Sequence, residues 1–573
     1  MIYRQRPDNK EKGVLLPVFS LPSKYGIGCF SKEAREFIDW LHETGHRYWQ
    51  ILPLNPTGCA DSPYQPLSSF AGCAYFIDLQ QLAEQGLVTQ AELESFDFGG
   101  DAQYVDYEKL HDGRSVMLRL AFSRFAEQLT ANGSGQQAEE YEQFLEDNDF
   151  WLQDFALFMS LREEFGREES WDTWPEKLRL REEKALQEAA EAHAEDVAFH
   201  KWTQYEFFRQ WGELRQYANA AGVKIIGDMP VYVSYDSADC WASPEQFQLD
   251  ENLAPKRIAG VPPDDFAEEG QLWGNPLYDW EGMKKEGYRW WISRMLQNFH
   301  LYDVLRLDHF RGYEAYYSTE ADADNAMNGT WTPGPGMDLF RQLQKVLEKE
   351  DTAATDSQAG GDSSASGAAS TSPQLRDRFI AEDLGFLTED VHRLLKETGF
   401  PGTKVIQFAF DGDPKNMYLP ENYQENCVVY TGTHDNDTTV GWFRDLSGDD
   451  QAGILQYLGL SGIYAWKLVL EYDAYIKKRA AENPGAGVAN MDRAGSRCLG
   501  TDETSEAPPD PSLLATDLMV NKALDCCAKT AIIPLQDYLL LGTEARINVP
   551  GTVDHNWCWR LLPDQFSLIH PRS

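Results

Sequence analysis

Short apolar runs recur along the chain, and most follow a segment whose apolar residues have helical spacing. Eight runs have the length and composition of buried strands, namely residues 14–19, 48–54, 223–231, 304–310, 378–384, 404–410, 428–434 and 531–537. The helix-like segments before them include residues 32–43, 197–221, 290–299, 339–347, 390–396 and 513–528. Strands alternating with helices predict an α/β protein with a parallel sheet, and eight such strands predict a closed (β/α)8 TIM barrel.

Three stretches between the predicted strands carry insertions. Residues 55–222 contain helix-like segments at 107–129 and 138–165, which predicts a mostly helical subdomain between the second and third strands. Residues 240–290 are rich in Pro and Gly and predict a long loop. Residues 351–373 are low in complexity and predict disorder, because such a segment buries too little apolar surface to offset the entropy of ordering. We expect one barrel domain over residues 1–573, with the large insertions at its carboxyl-terminal mouth.

Composition and charge exclude several classes of protein. A chain of 573 residues that is 42% hydrophobic can bury a large core. The formal net charge of −41 argues against nucleic acid or an anionic membrane as a partner. No apolar run approaches the ~20 residues of a membrane span, and residues 1–13 lack a signal-peptide core. Nine cysteines without a CxxC spacing indicate free thiols, so we expect a cytoplasmic protein.

Three of the predicted strands end in carboxylates. Asp308, Glu382 and Asp435 stand at the ends of the fourth, fifth and seventh strands. A parallel barrel gathers the carboxyl ends of its strands at one mouth, so these acids are expected there. Arg306 lies two residues before Asp308, on the same face of the strand, and its guanidinium would keep that carboxylate ionised. The pair fits a nucleophile or an electrostatic stabiliser, and it equally fits a structural ion pair.

The motifs around these acids resemble those of a known family. RLDHFRG, AEDLG and THDND, in this order, resemble the three catalytic motifs of the 4-α-glucanotransferases, also called amylomaltases or disproportionating enzymes, in glycoside hydrolase family 77 of the α-amylase clan. The resemblance covers nearly the whole chain, and further matching segments are residues 62–64, 227–233, 262–276 and 548–552 with Asn556 and Trp557. Residues 262–276 resemble the mobile lid of these enzymes, so the resemblance implies that the 240–290 loop is a lid loop at the barrel mouth. The sequence contains no P-loop and no GxSxG nucleophile elbow, and we expect no cofactor.

The resemblance also implies a role for each acid. Asp308 is implied to attack the anomeric carbon, Glu382 to act as general acid and then as general base, and Asp435 to hold hydroxyls of the donor sugar. Two displacements of this kind retain the anomeric configuration. Eight residues are implied to bind substrate: Ser62, Tyr64, Asp228, Trp273, Asn275, Arg306, His309 and His434. Buried structural roles for the two histidines and core packing for the tryptophan remain open alternatives.

The implied activity is transfer of α-1,4-glucan segments from a maltooligosaccharide donor to the 4-hydroxyl of an acceptor glucan or glucose. Starch- or glycogen-derived glucans are the expected partners. An α-amylase-like retaining hydrolase would carry the same cleavage motifs, but the lid and the Ser-Pro-Tyr segment favour transfer. A non-catalytic glucan-binding protein is disfavoured by the presence of all three acids. Cys73-Ala74 and residues 317–320 depart from the family pattern, which bears on substrate preference.

One motif points to a different chemistry. Residues 42–46 spell HETGH, which matches the HExxH zinc signature. That signature requires both histidines on one continuous helix and a third ligand. Gly45 instead predicts that the helix ends between the histidines, with a strand directly after it. We therefore expect no metal site.

Overall fold

The computed structural model describes residues 7, 9–58, 61–99, 101–132, 135–263, 268–358, 375–482 and 507–566. The strands in these parts are β1 (Glu11–Leu15), β2 (Tyr48–Gln50), β3 (Lys224–Met229), β4 (Arg257–Val261), β5 (Gln271–Pro276), β6 (Val304–Leu307), β7 (Ala315–Glu320), β8 (Thr330–Pro333), β9 (Phe379–Ala381), β10 (Gly402–Val405), β11 (Cys427–Tyr430) and β12 (Thr530–Pro534). Eight of them form a closed barrel in the order β1-β12-β11-β10-β9-β6-β3-β2. The predicted TIM barrel is confirmed.

Helices account for most of the remaining described chain. They are α1 (Lys32–Glu43), α2 (Leu79–Glu84), α3 (Gln90–Glu94), α4 (Tyr107–Asn132), α5 (Gln136–Phe165), α6 (Glu176–Arg179), α7 (Glu183–Ala192), α8 (Ala194–Ala220), α9 (Ala238–Ala242), α10 (Trp280–Lys285), α11 (Arg289–Leu301), α12 (Arg311–Glu314), α13 (Gly336–Gln358), α14 (Glu389–Thr398), α15 (Thr439–Asp445), α16 (Gly448–Tyr457), α17 (Gly462–Glu482), α18 (Pro511–Asp525), α19 (Leu535–Tyr538) and α20 (Pro563–Phe566). None of these helices combines the length and the apolar content that crossing a bilayer requires.

The barrel strands end earlier than the apolar runs that predict them. β6 stops at Leu307, one residue before Asp308, and β12 stops at Pro534, where α19 begins. The apolar runs continue because the turns after the strands are buried too. The sixth predicted strand is shifted, since β10 begins at Gly402 and residues 406–409 form a 3₁₀ turn instead of extended chain.

Strand register sets neighbours at the barrel's carboxyl end. β3 pairs with β6 so that Asp228 stands beside Arg306, and β6 pairs with β9 so that Arg306 stands beside Ile380. The first and last strands of the barrel, β1 and β12, also pair in parallel, with Glu11 opposite Thr530 and Leu15 opposite Pro534. The register of β3 and β6 thereby places buried Asp228 beside buried Arg306.

The described chain groups into two compact units. One comprises Pro17–Trp40 and Ile51–Gly402, and it contains the mostly helical insertion, in which α4 and α5 both pack on α8. The other comprises Met1–Leu16, Leu41–Gln50 and Thr403–Ser573, and apolar residues of β11, α18 and β12 form its core. The expectation of one domain over the whole chain stays a prediction.

A second sheet lies outside the barrel and was not expected from the sequence. Its four antiparallel strands have the order β5-β4-β7-β8. β4 and β5 fall within residues 240–290, so the prediction of a long loop is wrong for those residues. The physical reason is that β4 pairs with β7, about 60 residues further along the chain, with Arg257 opposite Glu320. Local composition carries no trace of a partner at that distance.

Two other predictions concern the low-complexity insertion at residues 351–373 and the helical subdomain at residues 55–222. Helix α13 extends to Gln358, so the first eight residues of the 351–373 insertion continue a helix. Residues 359–373 lie outside the described residues. Residues 55–222 are mostly helical, as predicted, because α2 to α8 all lie within them.

The HETGH segment is not a zinc-binding helix. Helix α1 ends at Glu43 and Gly45 has φ +69°, which confirms the predicted helix end. The Nδ1 of His46 lies 2.7 Å from the Thr44 hydroxyl and its Nε2 lies 3.2 Å from the Tyr538 hydroxyl. Both ring nitrogens therefore face hydroxyl partners. Within the described ranges, no group of three His, Cys, Asp or Glu side chains could hold a metal ion.

Burial makes His46 a source of acid sensitivity, because it lowers the pKa of this imidazole to about 3. The folded pKa lies below the usual ~6.5, so protons bind preferentially to the unfolded chain. The stability that neutral His46 contributes is complete above pH 6.5 and declines as the pH falls towards 3. Between pH 7 and pH 5 this residue should account for about 2 kcal/mol of lost unfolding free energy.

We predict that His46→Gln removes this part of the acid sensitivity, since glutamine can bond both hydroxyls without titrating. Urea unfolding at pH 7 and pH 5 checks the expectation. Between pH 7 and pH 5, the free energy of unfolding of the variant should fall by about 2 kcal/mol less than that of the wild type. An equal loss in both proteins would contradict the burial argument.

Candidate active site

The guanidinium of Arg306 holds three carboxylates together at the carboxyl ends of β3, β6 and β9. Its Nη1 donates to both oxygens of Asp228, at 2.8 and 2.7 Å, and to Oδ1 of Asp308 at 3.2 Å. Its Nη2 lies 3.7 Å from Oε2 of Glu382. The predicted pairing of Arg306 with Asp308 is confirmed, and the same cation also forms ion pairs with Asp228 and Glu382. These four residues are called the Arg306 cluster below.

The Arg306 cluster is electrostatically unusual because its cation is buried. The Arg306 side chain is 6% exposed, and Asp228 is completely buried. Burial alone would lower the pKa of Arg306, but the neighbouring acids, Asp228 foremost, raise it well above its usual value. One guanidinium among three carboxylates leaves the cluster net negative when all three are ionised. Such a surrounding stabilises positive charge that develops on a bound molecule.

Asp308 presents a partly exposed carboxylate directly after β6. Its backbone N–H donates to the Met229 carbonyl at 3.2 Å, which continues the strand pairing by one residue. The carboxylate is 23% exposed, more than the other acids of the cluster. Arg306 holds Oδ1, whereas the nearest donor to Oδ2 is the Val231 N–H at the longer distance of 3.5 Å. One oxygen is thus anchored while the other is only weakly engaged by Val231.

Glu382 is oriented by the backbone of His309. The His309 N–H donates to Oε2 of Glu382 at 2.6 Å, and the Phe310 N–H donates to the Glu382 carbonyl at 3.0 Å. His309 can aim its amide this way because its backbone is left-handed, with φ +46°. That conformation costs about 1–2 kcal/mol for an ordinary L-residue. Burial lowers the pKa of the His309 imidazole to about 4, against the opposing effect of Asp308, so the ring is neutral near pH 7.

The predicted binding residues around the cluster also lie together. The Tyr64 hydroxyl donates to Oδ2 of Asp228 at 2.9 Å, and the Tyr64 N–H donates to the Ser62 hydroxyl at 3.3 Å. The Trp273 ring on β5 meets the His309 ring edge to face, with centroids 5.0 Å apart. Tyr64 is therefore fixed through its hydroxyl, a contact the sequence did not predict.

Asn275 ties β5 to the loop after β2. Its Nδ2 donates to the Val233 carbonyl at 2.8 Å and to Oε1 of Gln65 at 3.1 Å. The side chain is buried. These contacts are internal, so Asn275 positions the strand that carries Trp273.

Asp435 and His434 follow β11 in the second unit. Asn548 donates to Oδ1 of Asp435 at 2.6 Å, and Arg546 donates to the Asp435 carbonyl at 3.0 Å. His434 is buried, with Nε2 3.4 Å from Asp435 Oδ1, while the Asp435 carboxylate is 46% exposed. Sequence reasoning assigned no role to Asn548 or Arg546. The sequence did contain one indication of a role for Asn548, because this residue begins the 548–552 segment that resembles the family.

Asp537 fixes the loop that carries these two residues. Its carboxylate accepts from the Thr431 hydroxyl at 2.5 Å and from the Thr439 N–H and hydroxyl at 2.8 and 2.7 Å. Burial raises the pKa of Asp537, and these donors oppose that shift. Both ends of the 431–439 loop are thereby tied to one side chain. No site role for Asp537 was predicted, although this residue ends the eighth predicted strand.

Three comparisons with known proteins agree with one another. Residues 16–565 match the profile of a family described as 4-alpha-glucanotransferase. A 4-alpha-glucanotransferase of Thermus thermophilus is 41% identical over 560 residues, which cover 97% of this chain and 96% of the relative, and one of Clostridium butyricum is 39% identical over 552 residues, which cover 96% of each. The structure of amylomaltase from Streptococcus agalactiae in complex with acarbose is 34% identical, with a TM-score of 0.79, and covers 97% of this chain and 96% of that one.

The left-handed backbone at residue 309 leads to a prediction about substitutions there. His309→Asn and His309→Thr both remove the imidazole, but asparagine tolerates positive φ and β-branched threonine does not. We expect the threonine variant to be less stable than the asparagine variant by about 1–2 kcal/mol. Chemical denaturation of both proteins measures the difference, and crystal structures show whether the amide still reaches Glu382. Equal stability of the two variants would refute a conformational demand at this position.

Proposed function

The chain belongs to the 4-alpha-glucanotransferase family and is a glucan-transferring enzyme, and from this premise we propose that the Arg306 cluster and Asp435 perform the transfer. The observation that carries the proposal is the single buried guanidinium shared by Asp308 and Glu382. Two carboxyl groups flanking one bond are what retaining glycoside chemistry requires. The hydrolase and the non-catalytic alternative are not favoured by the comparisons.

The reaction runs in two displacements. In the first, Asp308 forms a bond to the anomeric carbon of the donor, the glycosidic bond breaks, and Glu382 gives its proton to the departing 4-oxygen. In the second, the 4-hydroxyl of the acceptor attacks the same carbon, Glu382 takes the hydroxyl proton, and the bond to Asp308 breaks. Each step inverts the anomeric centre, so the product keeps the α configuration.

The surroundings of the two acids support this division of labour. Arg306 donates directly to Asp308 Oδ1, so a cation stands against the negative charge of the attacking carboxylate. Glu382 must start the first step protonated, yet the His309 N–H and Arg306 both favour its ionised form. We infer that donor binding reverses this balance, because a bound sugar displaces water from Glu382 and thereby favours the neutral acid.

The remaining residues are proposed to hold the substrate. Asp435, oriented by Asn548, accepts hydrogen bonds from hydroxyls of the donor sugar. His309 and His434 contact the same sugar, and Tyr64 offers its ring while Asp228 holds its hydroxyl. Packing of Trp273 on His309 supports a lid that keeps water from competing with the acceptor.

The substrates are proposed to be α-1,4-glucans. Maltooligosaccharides and starch- or glycogen-derived chains serve as donors, and glucose or a glucan serves as acceptor. No cofactor takes part in either displacement. A cytoplasmic location for the reaction is part of the same proposal.

We predict that maltotriose is converted to glucose and a ladder of longer maltooligosaccharides. The number of reducing ends should stay nearly constant, because each bond broken is replaced by another. Chromatography of the products together with a reducing-sugar assay measures both quantities, with Asp308→Asn as the inactive control. A steady rise in reducing ends without longer products would show hydrolysis instead of transfer.

We also predict different behaviour of the two acids with a good leaving group. Asp308→Asn should abolish transfer from every donor, because no covalent intermediate can form. With maltotriose as donor, Glu382→Gln should lower the rate of transfer roughly 10²–10⁴-fold, which is the usual contribution of general acid–base catalysis. With α-maltosyl fluoride its first step should survive, since fluoride needs little proton transfer, and the maltosyl group should accumulate on Asp308.

Mass spectrometry of the intact Glu382→Gln protein and of its peptides locates that group. Azide, which needs no general base, should release it as an α-glycosyl azide. Glu389→Gln, an exposed acid in the first turn of α14, serves as the control and should match the wild type. Mapping of the label to Asp435, or an equal loss on both donors, would overturn the assignment.

A further inference from the structure

Phe386 exposes its ring on the loop that begins at Glu382. It lies four residues after Glu382 and is 72% exposed. Gly385, with φ +77°, turns the chain just before it. Burying a phenylalanine side chain usually stabilises a protein by about 1.5–3 kcal/mol. An exposed phenylalanine ring on the loop that begins at Glu382 therefore calls for an explanation.

The exposed ring stands on a fixed backbone. Nη1 of Arg311 donates to the Phe386 carbonyl at 2.6 Å. The same guanidinium lies over the Trp331 ring, 3.7 Å from its centroid, and 5.6 Å from the centroid of Phe386. Trp331 in turn meets Tyr317, with ring centroids 5.1 Å apart. Phe386, Arg311, Trp331 and Tyr317 form a row of flat side chains, called the aromatic row below.

The aromatic row is joined along the chain to Asp308 and to Glu382. Arg311 follows Asp308 by three residues and is itself buried. Phe386 follows Glu382 by four residues, a stretch of chain that spans at most about 14 Å. Ile463, which is 87% exposed, lies on the surface of helix α17, where single exposed apolar side chains are ordinary. Phe386 differs because buried Arg311 ties its main chain to the loop that carries Asp308.

We propose that Phe386 is a binding subsite for the glucose units on the leaving-group and acceptor side of the cleaved bond. The inference rests on the proposed function, in which Glu382 stands beside the glycosidic oxygen. Units beyond that oxygen continue away from Asp308, along the loop that Glu382 begins. The apolar face of a glucose ring matches a flat aromatic ring. The leaving segment and the acceptor use the same subsite, because the second displacement reverses the first.

The test separates the acceptor from the donor. With α-maltosyl fluoride as donor and maltotriose as acceptor, Phe386→Ala should raise the KM for maltotriose about three- to tenfold, the size of an aromatic contact, with little change in kcat. The rise should be smaller with glucose as acceptor. Single-turnover release of fluoride, which needs no sugar beyond the cleaved bond, should stay at the wild-type rate. Phe386→Tyr, which keeps the flat ring, should restore the KM.

Ile463→Ala is the matched control, because it removes an exposed apolar side chain from α17, and it should change none of these quantities. If the wild type transfers glucan and Phe386→Ala keeps its KM for maltotriose, the subsite alone is overturned. If Phe386→Ala slows fluoride release as much as transfer, the ring supports the Glu382 loop and binds no sugar, which also overturns the proposal. If the wild type fails to transfer glucan at all, the proposed function fails and the subsite with it.

Discussion

A buried cation constrains the geometry of the site. Arg306 is almost removed from water, and a charge in that position is tolerated only when it is paired and hydrogen-bonded. Asp228, fully buried on the neighbouring strand, meets that requirement by offering both its oxygens. Asp308 also accepts from Nη1 of this guanidinium, and Glu382 lies near its Nη2. The positions of the two acids are therefore set by strand register and one ion cluster, and much less by the loops on which they stand.

The barrel and the centre of the site could be predicted from residue types alone. Buried strands give continuous apolar runs, and alternation placed Arg306 and Asp308 on one face, as the structure has them. The contact between the His309 N–H and Glu382 could not be found this way. It depends on a positive φ at a residue other than glycine, and no sequence pattern marks that conformation. The hold of Asn548 on Asp435 was missed because 113 residues separate the two.

The antiparallel sheet shows what local patterns cannot provide and why it matters for the site. The chain passes from Asp308 through the short helix α12 directly into β7, which pairs with β4, which pairs with β5. β5 carries Trp273, and the Trp273 ring contacts the His309 ring edge to face. Strand pairing and the Trp273–His309 ring contact thus connect the chain after Asp308 to β5 and back to His309. Because the His309 N–H orients Glu382, the position of β5 and the geometry around Asp308 and Glu382 are physically connected.

The pairing of β1 with β12 has a consequence for how the protein is made. The two strands lie side by side from Glu11 opposite Thr530 to Leu15 opposite Pro534, about 500 residues apart in the chain. Ribosomes add roughly 5–20 residues per second, so β1 waits on the order of 25–100 s for its partner to be synthesised. During that interval one edge of the first strand, with its apolar Val14 and Leu15, has no native neighbour from the carboxyl-terminal end. The barrel can therefore close only after β12 has left the ribosome, and throughout the earlier part of synthesis that edge of β1 lacks its native partner.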